Sequence, residues 1–166
     1  MIHVESITGV IFDEERKKVL LIQRRDVPVW VLPGGGIEPH ETPENAVIRE
    51  ILEETGLRVK ASRLVGTYFP INRLAKITEL YECIPIGGTL ALSKETKNVA
   101  FFSLQQLPSL IPPPYREWIE DAKTICSPIQ KNLTSVTYKT LFFSLLKHPV
   151  LVLRFLLARL GYAINT

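Results

Sequence analysis

Thr42-Pro43-Glu44-Asn45-Ala46-Val47-Ile48-Arg49-Glu50-Ile51-Leu52-Glu53-Glu54-Thr55-Gly56 is the stretch from which the rest of the chain is read. Thr42 suits a helix N-cap, Pro43 the first helical position and Gly56 the residue just past the end, so the sequence predicts a helix over 43–55. Ala46, Val47, Ile51 and Leu52 give it an apolar side to turn toward a core. Glu50, Glu53 and Glu54 stand at i, i+3 and i+4 and therefore share a face. They occupy the last two turns, where the helix dipole favours cations and each anion costs about 0.3–1 kcal/mol. Two readings follow. One is a solvated acidic face, partly neutralised by Arg49 and Arg58. The other is a site for a hard cation, because oxygen-only donors without a neighbouring His or Cys suit magnesium, which keeps waters for a substrate's phosphates.

Outward from the helix, strands and helices alternate irregularly. Val29-Trp30-Val31-Leu32 runs into Pro33-Gly34-Gly35-Gly36, where backbone freedom is concentrated and regular structure must stop. Ser6–Phe12 and Val19–Gln23 read as strands, and the charged run 13–18 between them reads as the turn of a hairpin. Downstream, strand-like runs cover about Val65–Phe69, Ile77–Ile84 and Val99–Leu104, with Gly87-Gly88 as a turn. Tyr115–Ala122 reads as a helix behind Pro112-Pro113-Pro114. There is no internal repeat and no low-complexity tract.

Composition bounds the answer. With 166 residues, 46% hydrophobic and 22% charged, the chain suits one globular domain with an appendage and excludes disorder and collagen-like architecture. A chain of this length buries a core without staples, so Cys83 and Cys126 need form no disulfide, and two cysteines alone hold no structural zinc. Met1-Ile2-His3-Val4-Glu5 has neither the basic nor the apolar region of a secretory leader, so a reducing cytoplasm is the expected compartment. Charge divides the chain: net −3 over 1–121 and +6 over 122–166, where no acid occurs. The acidic body predicts no specific nucleic-acid binding.

Gly35, Glu41, Arg49-Glu50-Ile51, Glu53-Glu54 and Gly56-Leu57 fit the pattern G-x5-E-x7-R-E-U-x-E-E-x-G-U, with U aliphatic, at every fixed position. This resembles the signature of the Nudix hydrolases. Seven fixed residues match a random window roughly once in a billion, which sets aside the false positives of short motifs. Trp30-Val31-Leu32-Pro33-Gly34 leads into the box, and Phe101–Pro108 resembles the strand and turn that close the family's domain, so the resemblance covers about 4–122. It implies an α/β fold, an α/β/α sandwich around a mixed β-sheet, and hydrolysis of a diphosphate bond in a nucleoside diphosphate linked to another group. It also implies magnesium, with manganese as a substitute, and a small nucleotide as partner. By motif position Glu50, Glu53 and Glu54 resemble metal ligands, joined by the Gly34 carbonyl. Glu41 and Arg49 resemble supports that hold loop to helix, and Gly35 and Gly36 let backbone approach the substrate.

The general base stays open between Glu53, in the box, and Glu95, the one carboxylate of the loop 93–99; relatives often carry a further acid where this chain has Asn98. Glu95 is read as base or extra metal ligand, against an exposed loop charge. Arg24, at the end of the second strand, matches a position that meets substrate phosphate in similar proteins, against a surface ion pair. Trp30 stacks on a base or packs in its strand. Tyr68 and Pro70 lie near, but not at, the spacings of specialists for dinucleoside polyphosphates and ADP-ribose.

The domain is expected over 1–126, with 127–166 as a basic, apolar helical tail. Ser135–Lys147 and Val150–Leu160 read as two helices broken at His148-Pro149. The second is apolar almost all round, so it must be covered. Packing on the body, a homodimer through the tail, and peripheral membrane contact are the three readings; Lys147, Pro149 and Arg154 weigh against a transmembrane span. The competing functions are a catalytically inactive nucleotide-binding module and a membrane-associated adaptor defined by the tail.

Overall fold

Helix α1 (Pro43–Thr55) closes at both ends as its sequence predicts. In the computed structural model, which describes residues 3–160 and 162, Thr42 Oγ1 accepts the Asn45 N–H at 3.2 Å, and Gly56, at φ 76°, donates its N–H to the Leu52 carbonyl at 2.9 Å. Ala46, Val47 and Ile51 are fully buried against Ile7 and Ile11 of β1 (Ser6–Val10) and its continuation, and Leu20 of β2 (Lys18–Arg24). Burial of each large aliphatic side chain contributes about 1.5–3 kcal/mol, so this face sets how α1 sits on the sheet. Leu52, expected on that side, is exposed.

Two sheets share the central layer. A five-stranded mixed sheet runs β4 (Gly34–Gly36), β1, β6 (Thr78–Gly88), β5 (Leu57–Pro70), β8 (Ile129–Leu133); β1–β6 and β5–β8 are parallel pairs. An antiparallel sheet runs β3 (Trp30–Val31), β2, β7 (Thr96–Ser103). On the face away from α1, Val10, Phe12, Val19 and Leu21 pack against Trp118, Ile119 and Ala122 of α2 (Tyr115–Thr124). The result is the α/β/α sandwich expected from the motif.

Three expectations need correction. The first two strands form no extended hairpin: they share the bridge Phe12–Val19 and then part, β1 to β4 and β6, β2 to β3 and β7. Both strands are buried on both faces, as befits strands with neighbours on each side rather than a two-stranded ribbon. Gly87 and Gly88 are not a turn; they pair with Arg58 and Leu57 at the end of β6. The third concerns the stretch after Cys126, which is not wholly helical. Ile129–Leu133 is the edge strand β8, with Leu133 in the core. Only then come α3 (Tyr138–Lys147), with a capping box at Thr137 and Thr140, and α4 (Pro149–Arg159).

Polar links tie α2 to the sheet. Glu82 of β6 joins Arg16 and Arg63, and both guanidiniums also donate to the Ala122 carbonyl in the last turn of α2, where cations complement the helix dipole. Asp121 accepts the Tyr68 hydroxyl at 2.9 Å and pairs with Lys131 of β8 at 3.1 Å.

Candidate active site

The buried face of α1 fixes where its carboxylates point. With Ile51 turned inward, Glu50 and Glu54 fall on the flank beside β4, while Glu53 projects outward with 59% of its side chain exposed. The glycine strand then comes to meet them. Gly34 donates its N–H to Glu54 Oε2 at 2.9 Å. Gly35 lies so close that a Cβ there would stand 2.5 Å from Glu50 Cδ, so only glycine leaves room for that carboxylate. Ser6 Oγ donates to the Gly35 carbonyl at 3.0 Å and steadies the strand from β1.

Arg49 is the hub between loop and helix. Its Nε and Nη2 donate to the two oxygens of Glu41 at 3.0 and 2.9 Å, the fork geometry that suits a carboxylate. The same group donates to the Gly36 carbonyl at 3.1 Å and to Glu50 Oε1 at 2.9 Å, and lies 3.5 Å from Glu53 Oε2. Glu41 and Arg49 thus link the loop before α1 to the helix. A Cβ at Gly36 would meet nothing within 4 Å, so that residue borders open space.

The electrostatics describe a crowd of anions. Burial pushes the Glu54 carboxyl up to about 8 against the pull of the Gly34 N–H, and the charges of Glu50 and Glu95 add to the rise while Arg24 opposes it. Glu50 is likewise raised, first by burial, although Arg49 holds it down and Glu53 and Glu95 push it up. Glu95 therefore stands within electrostatic reach of both box carboxylates. Arg24 is engaged by Asp26 through Nε and Nη2 of its guanidinium, Nε to Oδ1 at 2.8 Å, which is the surface-ion-pair reading, but Arg24 also lies within reach of the charge of Glu54.

Among the described residues no three His, Cys, Asp or Glu side chains already converge on one point. Glu50 is turned to Arg49, Glu54 to the Gly34 N–H, and Glu53 to solvent. The donor set still fits a hard divalent cation: it is all oxygen, it sits on one helix flank, and the glycine cradle holds a carboxylate where any larger residue would displace it. Trp30, partly buried, packs in a T-shaped contact with Phe102 at 4.6 Å, and Tyr68 is wholly buried and so presents no face to a ligand. Asp26 and Ser6 are site neighbours that sequence reading missed. Asp26 had a signal, two residues beyond Arg24 at the end of an extended strand; Ser6 had none.

Fold and site define an α/β domain whose box helix presents carboxylates to a glycine strand. The chain belongs to the Nudix family: the NUDIX domain model matches residues 3–122. It is 36% identical over 114 residues to a putative 8-oxo-dGTP diphosphatase of Bacillus subtilis (strain 168), covering 69% of this chain and 76% of that protein. It is 40% identical over 111 residues to an ADP-ribose pyrophosphatase of Methanocaldococcus jannaschii, covering 63% of this chain and 64% of the relative, just under two-thirds of its length. The crystal structure of an ADP-ribose pyrophosphatase from Streptococcus suis 89-1591 superposes with a TM-score of 0.63 at 28% identity, over 76% of this chain and 96% of that one. The relatives are pyrophosphatases, hydrolases that act on phosphoric anhydrides.

Proposed function

We propose that the chain is a magnesium-dependent pyrophosphohydrolase that cleaves a diphosphate bond in a nucleoside diphosphate linked to another group, such as a nucleoside triphosphate, a nucleotide sugar or ADP-ribose, in the cytoplasm. The observation that carries this reading is the seating of Glu50 and Glu54 on the backbone of Gly34 and Gly35, with Glu53 exposed beside them. Glu50, Glu53, Glu54 and the Gly34 carbonyl would hold the metal. When bound, magnesium supplies charge neutralisation at the phosphates and a more acidic water. Arg49 keeps Glu50 aimed at the loop through its links to Glu41 and the Gly36 carbonyl. Gly35 and Gly36 leave the substrate room to approach the backbone, and Arg24 exchanges Asp26 for a substrate phosphate. Water adds its oxygen to one phosphorus, the bridging P–O bond breaks, and the proton passes to Glu53 or Glu95.

Purified protein screened against nucleoside triphosphates, nucleotide sugars, ADP-ribose, dinucleoside polyphosphates and 5′-triphosphorylated RNA, with magnesium or with EDTA, tests the proposal. Metal-dependent product release that Glu53→Gln nearly abolishes, with an unchanged melting curve, is the expected result. Undiminished turnover by Glu53→Gln on every substrate overturns the assignment of that residue. Absence of turnover on the whole panel favours an inactive binding module.

A further inference from the structure

Helices α3 and α4 turn apolar side chains outward and make their main packing against each other. Phe142, Phe143, Leu146, Val150, Leu153 and Phe155 are all exposed, Leu146 and Val150 each by 65%. No residue of α3 is buried, and among the described side chains of α4 only Val152 is. So large an array of exposed apolar groups marks a contact surface rather than scattered surface residues. The body is reached through a narrow neck, where Asn72 donates to the Val136 carbonyl at 2.7 Å and Ser135 donates to Glu117 at 3.1 Å.

Charge selects the occupant. Of the six basic residues from 122 onward, Lys123 and Lys131 pair with Glu120, Glu117 and Asp121 of the body, and the segment from 138 carries Lys139, Lys147, Arg154 and Arg159 with no acid. Lys139 and Lys147 are exposed on the same helix as the phenylalanines, and exposed Tyr138 and Tyr162 bracket the hairpin. A second copy laid symmetrically on this face would set like charges together. A sheet of anionic headgroups over hydrocarbon answers both features, since lysines meet phosphate while rings and leucines enter the acyl boundary. The helices cannot cross: ten and eleven residues reach about 15–17 Å against a core of roughly 30 Å. No helix of the described residues is long and apolar enough to span a membrane.

We propose that the α3–α4 hairpin lies flat in the surface of an anionic membrane and tethers the hydrolase domain there. The fold supports the arrangement. The hairpin leaves the sheet from β8 at one edge, and the glycine strand β4 forms the other edge. Four strand spacings, about 19 Å, separate them, so the site stays open to a soluble nucleotide while the far edge is held.

The test is co-sedimentation of the full chain with phosphatidylcholine vesicles, with and without 30% phosphatidylserine, alongside light scattering for mass. The full chain is expected to sediment with the anionic vesicles and not with the neutral ones, and to be released by 0.5 M salt. Lys139→Glu with Lys147→Glu should weaken binding by at least about 20-fold, because each basic residue near an anionic surface contributes about a factor of five. Phe142→Ser with Leu146→Ser should also lose binding and keep the hydrolytic rate and near-UV circular dichroism of the parent. No sedimentation with anionic vesicles overturns the proposal. If the mass is then that of a dimer that the serine variant dissolves, the face is a self-association surface; if it is a monomer, the hairpin is covered within the chain.

Discussion

Glu54 carries two facts that pull apart at neutral pH. Its burial favours the protonated form, yet the proposed chemistry needs the anion. A free glutamate titrates near 4.5 and the folded one at about 8, so between these values the native state holds a proton that the unfolded chain has lost. The contribution of Glu54 to metal-free stability is therefore fully present below 4.5 and is lost as pH rises through 8. Thermal unfolding in EDTA should show this decline for the parent and a flatter profile for Glu54→Gln. Calorimetry in two buffers of different ionisation enthalpy should show a proton released when magnesium binds at pH 7. Gly35 offers a second test. A Cβ there collides with the Glu50 carboxylate, so Gly35→Ala should lower kcat by tenfold or more while leaving the urea midpoint little changed, because the carboxylate and not the backbone gives way. Glu54 stood out in the sequence by its spacing, with a solvated acidic face as the other reading, and Gly35 through the resemblance of the box. A surface ion pair at Arg24 was weighed, but its partner Asp26 was not named, because that residue contributes nothing to the motif.

At the scale of the element, α1 was readable to the residue because each end carries a separate chemical signal, an N-cap oxygen with proline and a left-handed glycine. Strand β5 was read only over its apolar second half. Its first half alternates Leu57 and Val59 inward with Arg58 and Lys60 outward, a period-two pattern that a search for apolar runs passes over. Strand β8 is the larger miss. Ile-Gln-Lys-Asn-Leu has little strand propensity, and its pairing with β5 is a long-range event that no local pattern announces. Leu133 is 1% exposed although it lies beyond the boundary drawn from charge. Leu133→Ala should cost about 2–5 kcal/mol by urea unfolding, the range for a core leucine. A loss below about 1 kcal/mol would return this residue to an appendage. A truncation meant to spare the domain should end after Thr137, not at Cys126.

Over the whole molecule, the closed sheet and the exposed segment between α2 and β8 should answer a solvent-borne reagent differently. Cys83 is buried, and burial, with the charges of Glu82 and Glu44, pushes its thiol up to about 12, whereas Cys126 is exposed. Iodoacetamide at pH 8 should add one label to the native protein, on Cys126, and a second only in denaturant, as read by mass spectrometry of peptides. Two labels under native conditions would mean that the sheet opens near β6. The division of charge between 1–121 and 122–166 was visible in the sequence and marks the hairpin, but not the neck, where Lys131 is drawn back by Glu117 and Asp121 of the body.

The sheet order has a consequence for the order of assembly. The outer edge of β5 is covered over Gly66–Pro70 by β8, and β8 is the last of the described strands. During synthesis the other strands emerge first, so that five-residue edge waits with unpaired amides and carbonyls until residues 129–133 arrive. An edge of that kind is a template for a strand from another molecule. Nascent or shortened chains that lack β8 are thus the ones prone to stick to one another, and the short strand acts as a guard against aggregation as much as a part of the folded sheet.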